Sequence, residues 1–213
     1  KAFFAALPAA AAMVIKAVAG GGGRGMRVVA SADEIENAFA RCQSEAQSAF
    51  GDGSVYVEQC APLARHIEVQ ILGDGTECVH LHERECTLQR RHQKLIEVAP
   101  SPSLSATLRA RIIDAALTLA RAIHYRSLGT FEFLVFSENA EEKFVFIEAN
   151  PRLQVEHTVT EAVTGIDLVQ TQLQLALGAS LQQLQLRQDA IPAPRGYAVQ
   201  TRVNMETLLA DGT

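Results

Sequence analysis

Met13-Val14-Ile15-Lys16-Ala17-Val18-Ala19-Gly20-Gly21-Gly22-Gly23-Arg24-Gly25-Met26-Arg27-Val28-Val29 is the stretch that decides the fold. The run from Met13 to Val18 and the run from Met26 to Val29 are both β-type, so the glycines join a strand to a strand. Gly20, Gly22 and Gly25 satisfy G-x-G-x-x-G in form, but the dinucleotide fingerprint must open a helix, and here a strand comes next. No Gly-Lys-Ser/Thr is present for a Walker loop. Two readings of the hairpin stay open. It is a flexible tip with no ligand, or a tip that folds over a triphosphate, where glycine lets backbone N–H groups approach the oxygens and Lys16 and Arg24 add charge.

Working outward, Ser31 and Glu34 form a capping-box start for a helix to about Phe50, with Ile35, Ala38, Phe39, Cys42 and Ala46 as its apolar stripe and Gly51 as its stop. Residues 54–58 then read as a strand whose end, Glu58-Gln59-Cys60-Ala61, could meet an adenine through backbone groups. His66-Ile67-Glu68-Val69-Gln70-Ile71-Leu72 alternates cleanly, and Gly73-Asp74-Gly75 turns it into a partner strand over residues 76–83. Residues 83–94 are dense in ionisable groups. They read as a solvated loop or, alternatively, as a segment whose Arg90, His92 and Lys94 face an anion. Ser103 or Ser105 caps a helix over about 106–123, with Leu108, Ile112, Ala115, Ala116 and Leu119 as its buried stripe.

Residues 129–136 are strand-like and turn through 137–142 into a second strand, Phe144-Val145-Phe146-Ile147. This hairpin brings Glu132 and Glu148 toward a common end beside Asn150, and two carboxylates with an amide suit a hard cation such as Mg²⁺ held against phosphate oxygens. After Pro151, an extended chain would set Arg152, Gln154 and Glu156 on one side and Leu153 and Val155 on the other. A solvated strand shows the same alternation. A helix is expected from about Thr158 to Leu177, ended by Gly178, and residues 185–213 read as a linker and the first strand of a further subdomain.

At 213 residues the chain is long enough for one large or two smaller lobes. With 48% hydrophobic and 20% charged residues the composition is that of an ordinary globular protein. A net charge of -5 argues against non-specific nucleic-acid binding without excluding a local anion pocket. Four scattered cysteines do not make a disulfide scaffold, so a reducing cytoplasm is the expected setting. Cys78, His80 and His82 share strand parity and Cys86 follows, which makes a zinc site conceivable at a spacing that matches no common arrangement. No apolar run is long enough to cross a membrane, and the Ala-rich start lacks a signal peptide's pattern, so no membrane partner is expected. Lys1 at the start and a turn signal at the end suggest a piece of something longer.

Three blocks, residues 16–29, 83–94 and 146–161, together resemble the biotin carboxylase component of biotin-dependent carboxylases, an ATP-grasp fold. The likeness runs over residues 13–204, and Gln89-Arg90-Arg91-His92-Gln93-Lys94 and residues 150–157 are its most specific parts. It implies an α+β architecture of two lobes with a mainly antiparallel sheet and flanking helices. Residues 1–58 would form a small lobe with a Gly-rich lid, 59–185 a large lobe with the metal and bicarbonate site, and 186–213 the start of a truncated C-terminal subdomain.

The activity implied is ATP-dependent carboxylation of biotin, with bicarbonate phosphorylated to carboxyphosphate. By resemblance, Lys16, Gly21, Gly22, Gly23, Gly25, Glu58, Ala61, His66, Gln89 and His92 fall on nucleotide positions, and Glu132, Glu148 and Asn150 on positions for Mg²⁺ or Mn²⁺. Lys94, Arg152, Gln154 and Val155 match the bicarbonate site, Glu156 the base and Arg202 the arginine that stabilises the biotin enolate. Partners implied are biotin on a carrier domain and a carboxyltransferase, whose acceptor (acetyl-CoA, another acyl-CoA, pyruvate or urea) these residues do not specify. Gln59, Cys60, Ala162, Met205 and Thr207 depart from the usual pattern, as does the lack of the family's N-terminal subdomain. The alternatives are a non-catalytic ATP-binding fragment or another ATP-grasp ligase such as a carbamoyl-phosphate synthase. The isolated chain is expected to be nearly inactive.

Overall fold

The structure, a computed structural model, describes residues 1–7, 12–20, 25–61, 63–90, 93–138, 141–203 and 205. The chain divides into two units, Lys1–Leu63 and Ala64–Thr213.

The first unit opens on a short helix, α1 (Ala2–Ala5). Strands β1 (Met13–Ala17) and β2 (Met26–Val29) then pair antiparallel, with Lys16 opposite Met26, as strand-to-strand placement of the glycines requires. Gly20 and Gly25 flank the tip, and Gly21, Gly22, Gly23 and Arg24 lie outside the described residues. Gly25 takes φ +68, where a side chain is strained, and its carbonyl accepts from Ala17 N at 2.8 Å. β3 (Val55–Gln59) pairs on the other edge of β1. A short 3₁₀ turn at Ala32–Glu34 leads into α2 (Ile35–Phe50). The Glu34 carboxylate accepts from Ala30 N, while Ser31 makes no side-chain cap. Ile35 and Cys42 of α2 pack on Met13, Ile15 and Val29. Phe39, expected on that stripe, is 42% exposed.

The second unit is a six-stranded antiparallel sheet in the order β8-β7-β4-β5-β6-β9, built from β4 (Arg65–Asp74), β5 (Cys78–Arg90), β6 (Gln93–Ala99), β7 (Arg126–Glu138), β8 (Glu141–Asn150) and β9 (Ala198–Thr201). One face is covered by α3 (Ala106–Ala122), whose Leu108, Ile112 and Ala116 pack on Ile67, Val69, Phe131 and Phe133. Ser105 caps α3 by accepting from Leu108 N. Leu117 and Ala120 are buried where the stripe read from the sequence had Leu119, which is 37% exposed. Truncating Leu108 or Ile112 to Ala would cost about 2–5 kcal/mol by transfer and cavity terms together.

Of the two readings of residues 83–94, the solvated loop does not hold for the described residues: 83–90 end β5 and 93–94 open β6. The segment is strand because its charges are paired across both faces: Glu83 with Arg109 at 2.8 Å, Glu85 with Arg65 at 3.0 Å, and Arg84 with Glu68 at 2.6 Å on the opposite side. The zinc arrangement does not form. His82 has φ +65 in a bulge between the Val69–Glu83 and Ile71–His80 pairs, which breaks the parity on which that reading rested. Cys78 packs in the α3 core, His82 reaches Pro192 O, and Cys86 is buried beside Glu68 and Glu156. The single helix expected over residues 158–177 is two, α4 (His157–Thr164) and α5 (Leu168–Ala176). Gly165 ends the first in the left-handed region at φ +76, and Asp167 caps the second by accepting from Gln170 N at 2.7 Å.

Candidate active site

A row of four charged residues crosses the second unit's sheet. Glu148 of β8 stands opposite Glu132 of β7, Glu132 opposite Glu68 of β4, and Glu68 opposite Arg84 of β5. Like charges directly opposite one another destabilise a sheet, so this row needs compensating cations. Lys94, from the start of β6, supplies one. Its ammonium lies 2.5 Å from Glu68 Oε2, 2.9 Å from Glu132 Oε1 and 2.7 Å from Glu156 Oε1. All three of its N–H donors are thereby used. Burial works against its charge, but Glu68, Cys86, Glu132 and Glu156 more than reverse that and push the Lys94 pKa well above the usual range.

Glu132 is the second centre. Its Oε1 also accepts from Asn150 Nδ2 at 3.1 Å and Gln154 Nε2 at 2.9 Å. Its Oε2 lies 2.8 Å from His66 Nε2, in contact though not aligned as a hydrogen bond. His66 Nδ1 in turn meets Gln89 Nε2 at 2.8 Å, an arrangement that leaves Nε2 to carry the proton toward Glu132. Burial alone would raise the Glu132 pKa. His66, Lys94 and Gln154 overcome it and hold the carboxyl well below the ordinary range. Asn150 Nδ2 also donates to Glu148 Oε1 at 3.1 Å, so the three residues expected to hold a metal, Glu132 in the middle of β7 and Glu148 and Asn150 at the end of β8, lie together.

Glu156 forms the third. One oxygen takes Lys94, and the other accepts from Arg202 Nη2 at 2.9 Å. Arg202 directly follows β9, is tied to β6 by its N–H on Leu95 O, and donates from Nε to Glu97 Oε1 at 2.7 Å. Glu97 is wholly buried, and burial raises its pKa even against the Arg202 guanidinium. Residues 151–156 are a loop and turn, not the extended face expected. Gln154 and Glu156 point inward as the alternation required, but Arg152 is exposed, with long contacts of 3.3 Å to Leu153 O and 3.4 Å to Asn150 Oδ1. Val155 is 60% exposed.

In the first unit, Lys16 pairs with Glu58 across the β1–β3 edge, and Ala61 follows β3. His92 lies outside the described residues. The sequence reading missed Glu68, Arg84 and Glu97, all wholly buried. A signal was present in the alternation of residues 66–72, which sets Glu68 and Gln70 together on one face, but alternation does not say which face a helix will cover.

Residues 4–184 match the family described as carbamoyl-phosphate synthase L chain, ATP binding domain. Among curated proteins, the pyruvate carboxylase of Aspergillus niger is 53% identical over 195 residues, covering 91% of this chain and 16% of its own length. That of Bacillus subtilis is 52% identical over 200 residues, covering 91% and 17%. The chain thus spans about a sixth of these relatives. Among solved structures, a Campylobacter jejuni biotin carboxylase in a β-γ-ATP complex aligns with TM-score 0.86 and 44% identity over 93% of this chain and 43% of that one. The biotin carboxylase domain of a Hydrogenobacter thermophilus 2-oxoglutarate carboxylase, in complex with MgADP, ADP and bicarbonate, aligns with TM-score 0.84 and 39% identity over 92% and 42%. With an antiparallel sheet in each of its two units and this buried carboxylate–ammonium cluster in the second, the chain belongs to the carbamoyl-phosphate synthase L chain ATP-binding domain family, as a biotin carboxylase fragment of ATP-grasp fold.

Proposed function

We propose that this chain is the central part of a biotin carboxylase that uses ATP and bicarbonate to carboxylate biotin, within a larger polypeptide that also holds biotin carrier and carboxyltransferase domains. The observation that carries the reading is Glu156, gripped by Lys94 on one oxygen and Arg202 on the other. Bicarbonate attacks a γ-phosphorus well only after losing its proton, and a carboxylate set among cations can accept that proton while the cations hold the anion. Lys94 and Gln154 both donate to Glu132 Oε1, and Arg152, on the exposed loop, has a fork that suits a planar anion. In the proposed sequence a bicarbonate oxygen bonds to the γ-phosphorus as ADP leaves. The carboxyphosphate formed breaks down to CO₂ and phosphate, the phosphate takes the N–H proton of the biotin ureido ring, and Arg202 stabilises the resulting enolate, whose nitrogen bonds to CO₂.

Lys16, Gly21, Gly22, Gly23, Gly25, Glu58, Ala61, His66, Gln89 and His92 are proposed to hold the nucleotide, with residues 1–58 as the lid-bearing lobe, 59–185 as the metal- and bicarbonate-bearing lobe and 186–213 opening a further subdomain. Glu132, Glu148 and Asn150 suit Mg²⁺. A half-turn of the Asn150 amide exchanges Nδ2 for Oδ1 and sets three oxygen donors together where the end of β8 lies beside the middle of β7. The cation would neutralise charge on the transferring phosphoryl group. Pyruvate carboxylase relatives make pyruvate the favoured final acceptor, and they count against a carbamoyl-phosphate synthase. A cytoplasmic setting is consistent with four free cysteines, and no helix among the described residues is long and apolar enough to cross a membrane. The test is ATP cleavage by the complete polypeptide. It should require bicarbonate and rise with added free biotin; cleavage indifferent to both would overturn the reading.

A further inference from the structure

Arg84 occupies the sheet face that carries the site and is wholly shielded from solvent. A guanidinium has five N–H donors. Here all five are used: Nε on Glu68 Oε1 at 2.6 Å, Nη1 on Gln70 Oε1 at 2.8 Å and Thr160 Oγ1 at 2.9 Å, and Nη2 on Thr130 Oγ1 and Gln154 Oε1, both at 3.3 Å. None is left for a substrate oxygen. The acceptors come from β4, β7, the turn before α4 and α4 itself, so one planar group ties four segments together.

Two of those acceptors lead directly into the site. Glu68 gives one oxygen to Arg84 and the other to Lys94. Gln154, with its carbonyl oxygen held by Arg84, turns its amide nitrogen to Glu132. Gln70 supports the same ordering, since its amide nitrogen is fixed on Gly129 O at 2.9 Å and only its oxygen is free to face Arg84. Lysine could not replace this fork, because three donors on one point do not span five acceptors in a plane.

Resting on the functional reading above, we propose that Arg84 is a positioning residue for bicarbonate activation, fixing the Glu68 carboxylate and the Gln154 amide so that the positive charge of Lys94 and the Gln154 amide keep one placement toward the anion. It touches no reacting atom. Its removal therefore acts on how well the anion is held and aligned, more than on the nucleotide.

The experiment compares Arg84→Lys, Gln154→Ala and the double variant in the complete polypeptide, with bicarbonate-dependent ATP cleavage measured against each substrate and thermal unfolding measured in parallel. Arg84→Lys should lower kcat/KM for bicarbonate about 10–100-fold, the range typical of residues that orient a functional group from behind, while the KM for MgATP moves less than about threefold. In the Gln154→Ala background the same replacement should do several-fold less, because one of its two routes is already gone. Should Arg84→Lys fold poorly, Thr160→Val removes a single acceptor at constant volume and should raise the bicarbonate KM a few-fold in folded protein. Unchanged KM values with kcat falling only as the folded fraction falls would overturn the inference, as would effects that multiply fully in the double variant. An unaltered polypeptide that cleaves ATP without regard to bicarbonate would overturn the functional reading and this inference with it. If it does respond to bicarbonate and Arg84→Lys matches it, only the inference falls.

Discussion

Lys94 Nζ lies 2.7 Å from Glu156 Oε1, and the same ammonium holds Glu68 and Glu132. Three carboxylates carried by β4, β7 and the turn before α4 thus converge on one cation from β6. The fold and the proposed chemistry depend on the same contacts.

Replacing Lys94 by Met should destabilise the second unit strongly. It leaves three carboxylates in one buried place with their shared cation gone, and breaking a buried pair from one side costs about 3–5 kcal/mol. Equilibrium urea unfolding followed by far-UV circular dichroism measures it. A loss under about 1 kcal/mol would mean that the ammonium contributes little there.

Stability should fall between pH 7 and pH 5, and His80 should be the main cause. Burial, helped by His82, lowers its pKa from 6.5 to about 4. The folded state therefore resists a proton that the unfolded state binds, so stability drops as pH falls through this window, by about 2 kcal/mol between those pH values. Glu68 and Glu132, whose folded values are depressed despite burial, contribute stability that is present above the ordinary value of 4.5 and lost only as pH falls through their folded values. Lys94 has its pKa raised, so its contribution is fully present below 10.5 and lost as pH rises through its folded value. Glu68, Glu132 and Lys94 therefore add little slope between pH 5 and 7. His80→Asn should flatten that part of the profile in the same unfolding assay; an unchanged slope would remove His80 as its source.

In the complete polypeptide, Glu156→Gln and Glu148→Gln should fail differently. Loss of a general base lowers turnover by about 10²–10⁴-fold, and Glu156→Gln should do so with MgATP affinity largely kept. Glu148→Gln weakens the Glu132–Glu148–Asn150 set and should act on MgATP binding itself. Titration calorimetry with MgATP alongside phosphate release separates the two. Near-normal turnover of Glu156→Gln, or an equal loss of MgATP binding in both, would contradict this division.

Much of this was legible in the residues. The glycine tip between β-type runs gave the antiparallel start of the first unit, and the hairpin of β7 and β8 was legible too, because alternation and turn residues are local signals; the bulge between Glu132 and Phe133 that sets Glu132 opposite Glu148 was not. The buried charges of residues 83–85 were not legible. A run of Glu and Arg reads as solvated until partners such as Arg65, Glu68 and Arg109, 16 to 26 positions away, are in place. The grouping of Arg152 with Gln154 and Glu156 on one side rested on an extended chain, and residues 151–156 leave that path after Pro151, so Gln154 and Glu156 are buried while Arg152 is exposed. The break at Gly165 was hidden by apolar residues continuing on both sides.

Phosphorylation of bicarbonate by ATP at the proposed site built on Lys94, Glu156 and Arg202 is tested most directly by oxygen transfer. When a bicarbonate oxygen attacks the γ-phosphorus and the product splits into CO₂ and phosphate, the bridging oxygen stays with phosphorus. Complete polypeptide turned over with ¹⁸O-labelled bicarbonate, ATP and free biotin should release phosphate carrying one labelled oxygen, as read by mass spectrometry. Phosphate released without the label would mean that water, not bicarbonate, attacks ATP, and would contradict the account.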